Sequence, residues 1–325
     1  MERGKPGAEN DVGGNVTLRS GSKVNARVYA EWLGRQGQRV VRTGSSYWQR
    51  IAPGVYQAFP YHWLIAPGER ELEELFFRHR AVAVRYSLAA DAAQGLASYH
   101  VVRQGGAYGL ESLGYRTRKN VRLGLRRCAV ERIAFSRLAE EGWRLRSETL
   151  ERQGREMRVS PESWRKRFLL AGELEGFEAW GALVAGRLAA YLVAFHMDDC
   201  CYLLYQQSGR EFLRECVNNA LTFVATETLA ARPGVRLLFY GMHSLDASAS
   251  MNEFKFHMGY QAKAVRQRVV FHPLIRPFIN RASYRVLQQV ARWRPKSRAL
   301  SKAEGMLRFY LEGQARPTEH AEALG

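Results

Sequence analysis

Residues 177–271 constrain the fold more than any other part of this sequence. Apolar, β-rich runs at 177–184, 188–197 and 200–206 are separated only by Gly186 and by Asp198-Asp199. Runs of that length joined by such short polar breaks predict an antiparallel meander rather than helices. A helical pattern follows at 211–230 and ends at Pro233-Gly234, and an apolar strand is expected at 235–240. After a polar loop, 242–249, come a short helix at 251–258, closed by Gly259 at the C-cap, and a last strand at 265–271. The order meander, helix, strand, helix, strand belongs to a mixed α/β unit, with a mostly antiparallel sheet flanked by helices.

The first half carries a weaker version of the same order. Val40-Val41, Tyr47-Trp48 and Val55-Tyr56 are short strands broken by Gly44 and Pro53-Gly54. Leu72, Leu75 and Phe76 give helical spacing at 69–79, and Val82, Val84 and Tyr86 alternate as a strand would. At 116–127 Arg118, Arg122 and Arg126 recur every four residues, with Val121, Leu125 and Cys128 on an adjoining stripe, which predicts a cationic amphipathic helix. A strand at 130–133 and a helix at 137–153 follow. A chain of 325 residues suits two domains of ~150 residues each. The expected division is a glycine-rich leader at 1–24, domains at 25–145 and 146–272, and a basic helical extension at 273–325.

Two junctions carry the chemistry. At Gln206-Gln207-Ser208-Gly209-Arg210-Glu211 an apolar strand hands over to a helix, and Ser208 with Glu211 has the spacing of a capping box. Gly209 permits close backbone approach, and helix-end N–H groups beside Arg210 suit a phosphate. The second junction, Asn252-Glu253-Phe254-Lys255-Phe256-His257-Met258-Gly259-Tyr260, places a lysine on a short helix after the polar loop.

The first motif resembles the pyrophosphate loop of GNAT acyltransferases, Q/R-x-x-G-x-G/A, at Gln206 and Gly209, with Glu211 in place of the last small residue. The second is similar to the F-K-x-x-x-G-F/Y ending of FemAB-like aminoacyltransferases, which are built from two GNAT-like folds in tandem. Asn218-Asn219-Ala220-Leu221 resembles a polar-then-apolar stretch of the same family. The resemblance implies a donor entering between the strands at 200–206 and 235–240, with Gln206, Ser208, Gly209, Arg210 and Asn219 contacting it. It further implies Lys255 for charge stabilisation and His243 or Asp246 for proton transfer. The activity implied is transfer of an acyl group from acyl-CoA, an acyl carrier or aminoacyl-tRNA to an amine, with the activated donor as co-substrate and no metal.

Charge agrees with an anionic donor without naming it: 49 basic residues face 31 acidic ones, a formal net charge of +18. The same charge suits an inactive nucleic-acid-binding or scaffold protein on this fold. It also suits a peripheral enzyme acting on lipid headgroups, anchored to an anionic membrane by 273–302. In that segment Phe278, Tyr284, Leu287 and Trp293 alternate with Arg281, Arg285 and Arg292. Cys128, Cys200, Cys201 and Cys216 have neither zinc spacing nor an easy disulfide pairing, so free thiols and a cytoplasmic location are expected, with the inner membrane surface as the alternative.

Overall fold

Runs of β-branched and aromatic residues bounded by turns become strands along the whole chain. They are β1 (Val40–Arg42), β2 (Tyr47–Ala52), β3 (Val55–Phe59), β4 (Ala83–Leu88), β5 (Leu96–Gln104) and β6 (Ala129–Ile133). The second half adds β7 (Phe177–Val184), β8 (Arg187–Met197), β9 (Cys200–Ser208), β10 (Leu237–Met242) and β11 (Gln261–Phe271). Helices are α1 (Ala26–Arg35), α2 (Glu69–Glu73), α3 (Tyr115–Arg127), α4 (Phe135–Arg152), α5 (Pro161–Gly172), α6 (Val217–Ala230), α7 (Ser250–His257), α8 (Arg281–Trp293) and α9 (Arg298–Glu312). The structure, a computed structural model, describes residues 25–155, 157, 159–243, 250–293 and 297–314.

Among the described residues the strands form a single open sheet in the order β1-β2-β3-β4-β11-β5-β10-β9-β8-β7-β6. One unit occurs twice in it. β2 and β3 form an antiparallel hairpin and β3 then runs parallel to β4; β8, β9 and β10 repeat that arrangement. A parallel neighbour needs a crossover, supplied by α2 in the first unit and by α6 in the second. The two units also exchange strands, because β5 lies between β10 and β11, and β11 lies between β4 and β5. The mixed α/β tandem expected from element order is therefore the architecture observed, with the units interlocked.

One face of the second unit is covered by α3 and α6, around Val121, Trp180, Leu192, Val217 and Leu221. The other is covered by α1, α4 and α5, around Trp32, Leu138, Leu145, Trp164 and Phe168. Helix α1 thus comes from the first half but packs on the second: Tyr29 and Trp32 lie against Phe177, and the Trp32 indole N–H donates to Arg167 O at 3.1 Å. A smaller core under β1 to β4 holds Trp48, Tyr56, Leu75 and Tyr86. Helix α9 covers β11 through Met306 and Phe309.

Three elements lie outside the sequence expectations. Central strand β5 lacks clean alternation because polar side chains are accepted inside the sheet; Ser87 Oγ and His100 Nε2, for example, are 3.0 Å apart. Helix α5 carries a full start signal, with Ser160 Oγ accepting from the Ser163 N–H at 3.2 Å and Pro161 in the first turn. Helix α1 is similarly capped by Asn25, whose Oδ1 accepts from the Arg27 N–H at 2.9 Å.

In the first unit, the gap where β3 and β4 part is filled by the chain itself. The segment after Phe59 turns back, and the Ile65 N–H donates to Ser87 O at 2.9 Å, on the strand that β3 has left.

Because the units share strands and α1 bridges them, they are expected to unfold together. Trp32→Ala should destabilise the chain by about 3–5 kcal/mol, the range for deleting a buried large aromatic, while unfolding in urea stays a single transition. Two separated transitions would show that the halves fold independently.

Candidate functional site

The site begins where a ladder stops. β9 and β10 are paired at Cys200 with Leu237, Cys201 with Leu238 and Tyr202 with Phe239, and the pairing ends there. Beyond that point β9 continues along β8 to Ser208, and β10 continues along β5 to Met242. The register shifts near the parting on both sides, between Val193 and Ala194 in the β8–β9 ladder and between Phe239 and Gly241 in the β10–β5 ladder. Such bulges bend strands and release backbone groups from pairing. The result is a wedge between two parallel strands, bordered by residues 203–208 on one side and 240–242 on the other.

Gln206 and Lys255, drawn from separate motifs, meet at this wedge through Tyr240. The Tyr240 hydroxyl donates to Gln206 Oε1 across it, and Gln206 Nε2 donates to Thr222 Oγ1 at 2.9 Å and Asn218 Oδ1 at 3.2 Å on α6. Lys255 Nζ donates to Tyr240 O at 3.2 Å, at the register shift, and lies 4.8 Å from the centre of the Tyr240 ring. Gly241, at φ 140°, takes a backbone conformation that favours glycine, and a Cβ there would be in ordinary contact, 3.4 Å from Nζ. Gly259, at φ 81°, ends α7, and the Tyr260 N–H caps it by donating to Lys255 O at 3.2 Å, which orients the helix carrying the lysine. Burial pulls the Lys255 pKa from 10.5 down to about 8.

No protein-family model and no curated protein matches the sequence. Solved structures do. FemX superposes with a TM-score of 0.55 at 12% identity, over 79% of this chain and 94% of FemX. A structure described as the C-terminal domain of a lysylphosphatidylglycerol synthetase from Agrobacterium fabrum gives 0.51 at 12% identity, over 74% of this chain and 87% of that one. A conserved protein of unknown function from Bacteroides thetaiotaomicron gives 0.50 at 10% identity, over 74% and 87%. The chain shares the fold of FemX, a mixed α/β tandem.

Within this fold the other candidate residues separate. His243 follows β10 with its ring stacked 4.6 Å from Tyr99, its N–H on Tyr99 O at 2.9 Å, and its Nδ1 3.4 Å from Ser98 Oγ. Burial, then Arg308 and Arg85, lower its pKa, so the ring is neutral near pH 7. Asp246 lies outside the described residues. Asn219 turns toward α7, its Nδ2 3.7 Å from Met258 Sδ, whereas its neighbour Asn218 makes the bonds to Gln206 and Ser208.

The strand-to-helix junction differs from the capping box expected at Ser208 and Glu211. Ser208 is still in β9, buried, with its Oγ accepting from Asn218 Nδ2 at 2.8 Å. A 3-10 turn, Arg210–Glu215, and left-handed Cys216 intervene before α6 starts at Val217. Glu211 pairs instead with Arg187 at 2.7 Å and Arg144 at 3.2 Å. The Gly209 N–H donates to Ala189 O at 2.9 Å, and the Arg210 N–H to Glu148 Oε2 at 2.7 Å. A carboxylate from α4 therefore sits on a backbone donor that a phosphate would use, and Arg210 Nη2 reaches Glu151 at 3.2 Å.

The first half adds a residue that sequence spacing does not reveal. His62, from the segment filling the first gap, brings its Nδ1 to the Tyr202 hydroxyl at the last paired position of the β9–β10 ladder. Burial lowers its pKa to about 4, so it is neutral. Tyr240 and Thr222 were likewise legible only as core or helix residues, and of the Asn218-Asn219 pair the sequence reading took Asn219. All four cysteines are free thiols, and burial pushes Cys201 up to about 12 and Cys128 to about 11, which leaves them protonated and poorly nucleophilic.

Burial disfavours the ammonium form of Lys255. Its folded pKa, about 8, lies below its ordinary 10.5, so the unfolded chain binds more protons between those values and stability rises with pH across that window. Lys255→Met is therefore expected to be more stable than the native chain at pH 7, by about 1–3 kcal/mol once the lost hydrogen bond is counted. The difference should vanish near pH 10.5. Urea denaturation at both pH values measures it, and equal stabilities at pH 7 would mean that the ammonium is well solvated.

Proposed function

We propose that this chain is an acyltransferase or aminoacyltransferase that moves an activated acyl group from an anionic donor to an amine. The observation that carries this reading is the wedge between β9 and β10, with Gln206 and Lys255 joined at Tyr240 on its border. A carbonyl inserted beside the free edge of β9 would be polarised by backbone N–H groups and by the Lys255 ammonium. The amine nitrogen attacks the carbonyl carbon, and the carbon–sulfur or carbon–oxygen bond to the donor then breaks. Lys255, with a pKa near 8, supplies the proton to the departing thiolate or alkoxide. Neutral His243, or Asp246, accepts the proton lost by the amine. Gln206 orients the donor, and Arg210 with the Gly209 turn contributes to the donor's phosphate only if Glu148 is displaced.

Donor identity is the first thing to test. Thermal shift against CoA, acyl-CoAs and charged tRNA should find a stabilising donor by mass action. Amine acylation measured with that donor should fall about 10²–10³-fold in Lys255→Ala, the usual cost of removing an oxyanion donor. In the native chain the rate should fall as pH rises through about 8, where Lys255 loses its proton. Full turnover by Lys255→Ala would remove the lysine from the mechanism. Similarity to the Agrobacterium lysylphosphatidylglycerol synthetase domain supports testing anionic lipid headgroups as alternative acceptors, through a hydroxyl where the headgroup carries no amine.

A second reading rests on α3. Arg116, Lys119, Arg122, Arg126 and Arg127 are exposed along it, while Arg118 turns inward to donate to Leu113 O at 3.0 Å. This cationic ridge suits a nucleic-acid-binding protein without transfer activity. RNA affinity that drops steeply with salt, with no acyl transfer to any amine, would favour it.

A further inference from the structure

We infer that the segment from Leu274 to Trp293 is a docking element for an anionic lipid bilayer, with α8 lying in the plane of its surface. Among the described residues six large apolar side chains are at least 60% exposed, and four of them fall here: Leu274 at 74%, Phe278 at 72%, Val286 at 64% and Trp293 at 75%. A fifth, Phe77, is continuous with them, its ring 5.0 Å from the His272 ring, whose Nδ1 accepts from the Leu274 N–H at 3.2 Å. None of the residues of α8 is buried.

The helix does not leave this face open for lack of a partner within the chain. Tyr284 attaches it to α9, donating to Glu304 Oε1 at 2.6 Å, and Leu287 and Ala291 lie on the same side at helical spacing. Val286 and Trp293 project elsewhere, seven residues apart on one stripe. Beside that stripe Arg281, Arg285 and Arg292 form an exposed ridge, and no ion pair holds any of them among the described residues. From residue 273 to 302 the sequence contains no aspartate or glutamate.

Charge selects the occupant. A second copy of the chain would set one arginine ridge against another, and a stacked protein partner would have to cover both a cationic ridge and an apolar stripe. A bilayer with anionic headgroups offers both surfaces at the depths required: acyl chains for Val286, Phe278 and Leu274, phosphates for the arginines, and the interface for Trp293. No helix of the described residues is long and apolar enough to cross a membrane, so α8 would lie on the bilayer and not span it. This inference stands whether or not the chain transfers acyl groups.

The test is co-sedimentation of the full chain with phosphatidylcholine vesicles, with and without about one-third phosphatidylglycerol, at physiological salt. Binding to the anionic vesicles is expected, with tryptophan quenching by brominated lipid that Trp293→Phe removes. Val286→Asp with Trp293→Asp should lower partitioning at least tenfold at unchanged thermal stability, since both residues are exposed. Converting the three arginines to glutamine should lower it about a hundredfold, because each basic residue near an anionic surface is worth about fivefold. Absence of vesicle binding, or binding that the aspartate pair leaves intact, overturns the inference. So does a concentration-dependent dimer that the aspartate pair dissolves, or RNA binding that the arginine variant abolishes while vesicle binding survives.

Discussion

The parting of two parallel strands organises this molecule. Backbone N–H and C=O groups in a sheet interior are normally all paired, because burying them alone is costly. Between β9 and β10 the pairing stops at Tyr202 and Phe239, and both strands must then be held apart by their outer neighbours, β8 and β5. Everything near the wedge follows from that separation. The register shift at Tyr240 frees a carbonyl for Lys255, the Tyr240 hydroxyl spans to Gln206, and α6 supplies Asn218 and Thr222 to satisfy the amide.

The same separation occurs in the first unit, with a different outcome. There Ile65 hydrogen-bonds to Ser87 and takes the place of a neighbouring strand. Two copies of one unit thus carry one gap spanned by the side chains of Tyr240 and Gln206 and one filled by the chain's own backbone. The closing segment also delivers His62 to Tyr202, so the first unit contributes a side chain to the end of the second unit's ladder. Exchange of β5 and β11 between the units keeps that contact in register, since neither half can shift without breaking ladders in the other.

Electrostatics divides the surface. Around the β9–α6 turn, acids of α4 compensate the arginines: Glu148 with Arg144 and the Arg210 N–H, Glu151 with the Arg210 guanidinium. On α3 and α8 most cations face solvent, although Arg118 donates to Leu113 O and Arg127 pairs with Glu215 at 3.4 Å. A net charge of +18 is therefore distributed so that the turn once read as a phosphate loop is locally balanced, while two helices carry the field that would draw anionic partners.

Sequence alone determined the second unit's element order, its meander turns at Gly186 and Asp198-Asp199 and the Gly259 cap, because those depend on local spacing and turn chemistry. It misjudged where α6 begins, since Glu211 finds Arg187 and Arg144 across the fold in preference to a local cap at Ser208. It left β5 unassigned, because a central strand that sets part-buried Ser98 and buried His100 against polar neighbours loses its alternation. Tertiary structure decided that Tyr240 joins the two motifs, that His62 reaches the second unit and that Asn218, not Asn219, faces Gln206. Each of these depends on strands that pair far apart in the sequence, and no periodicity within a window of residues records which distant strand will be the neighbour.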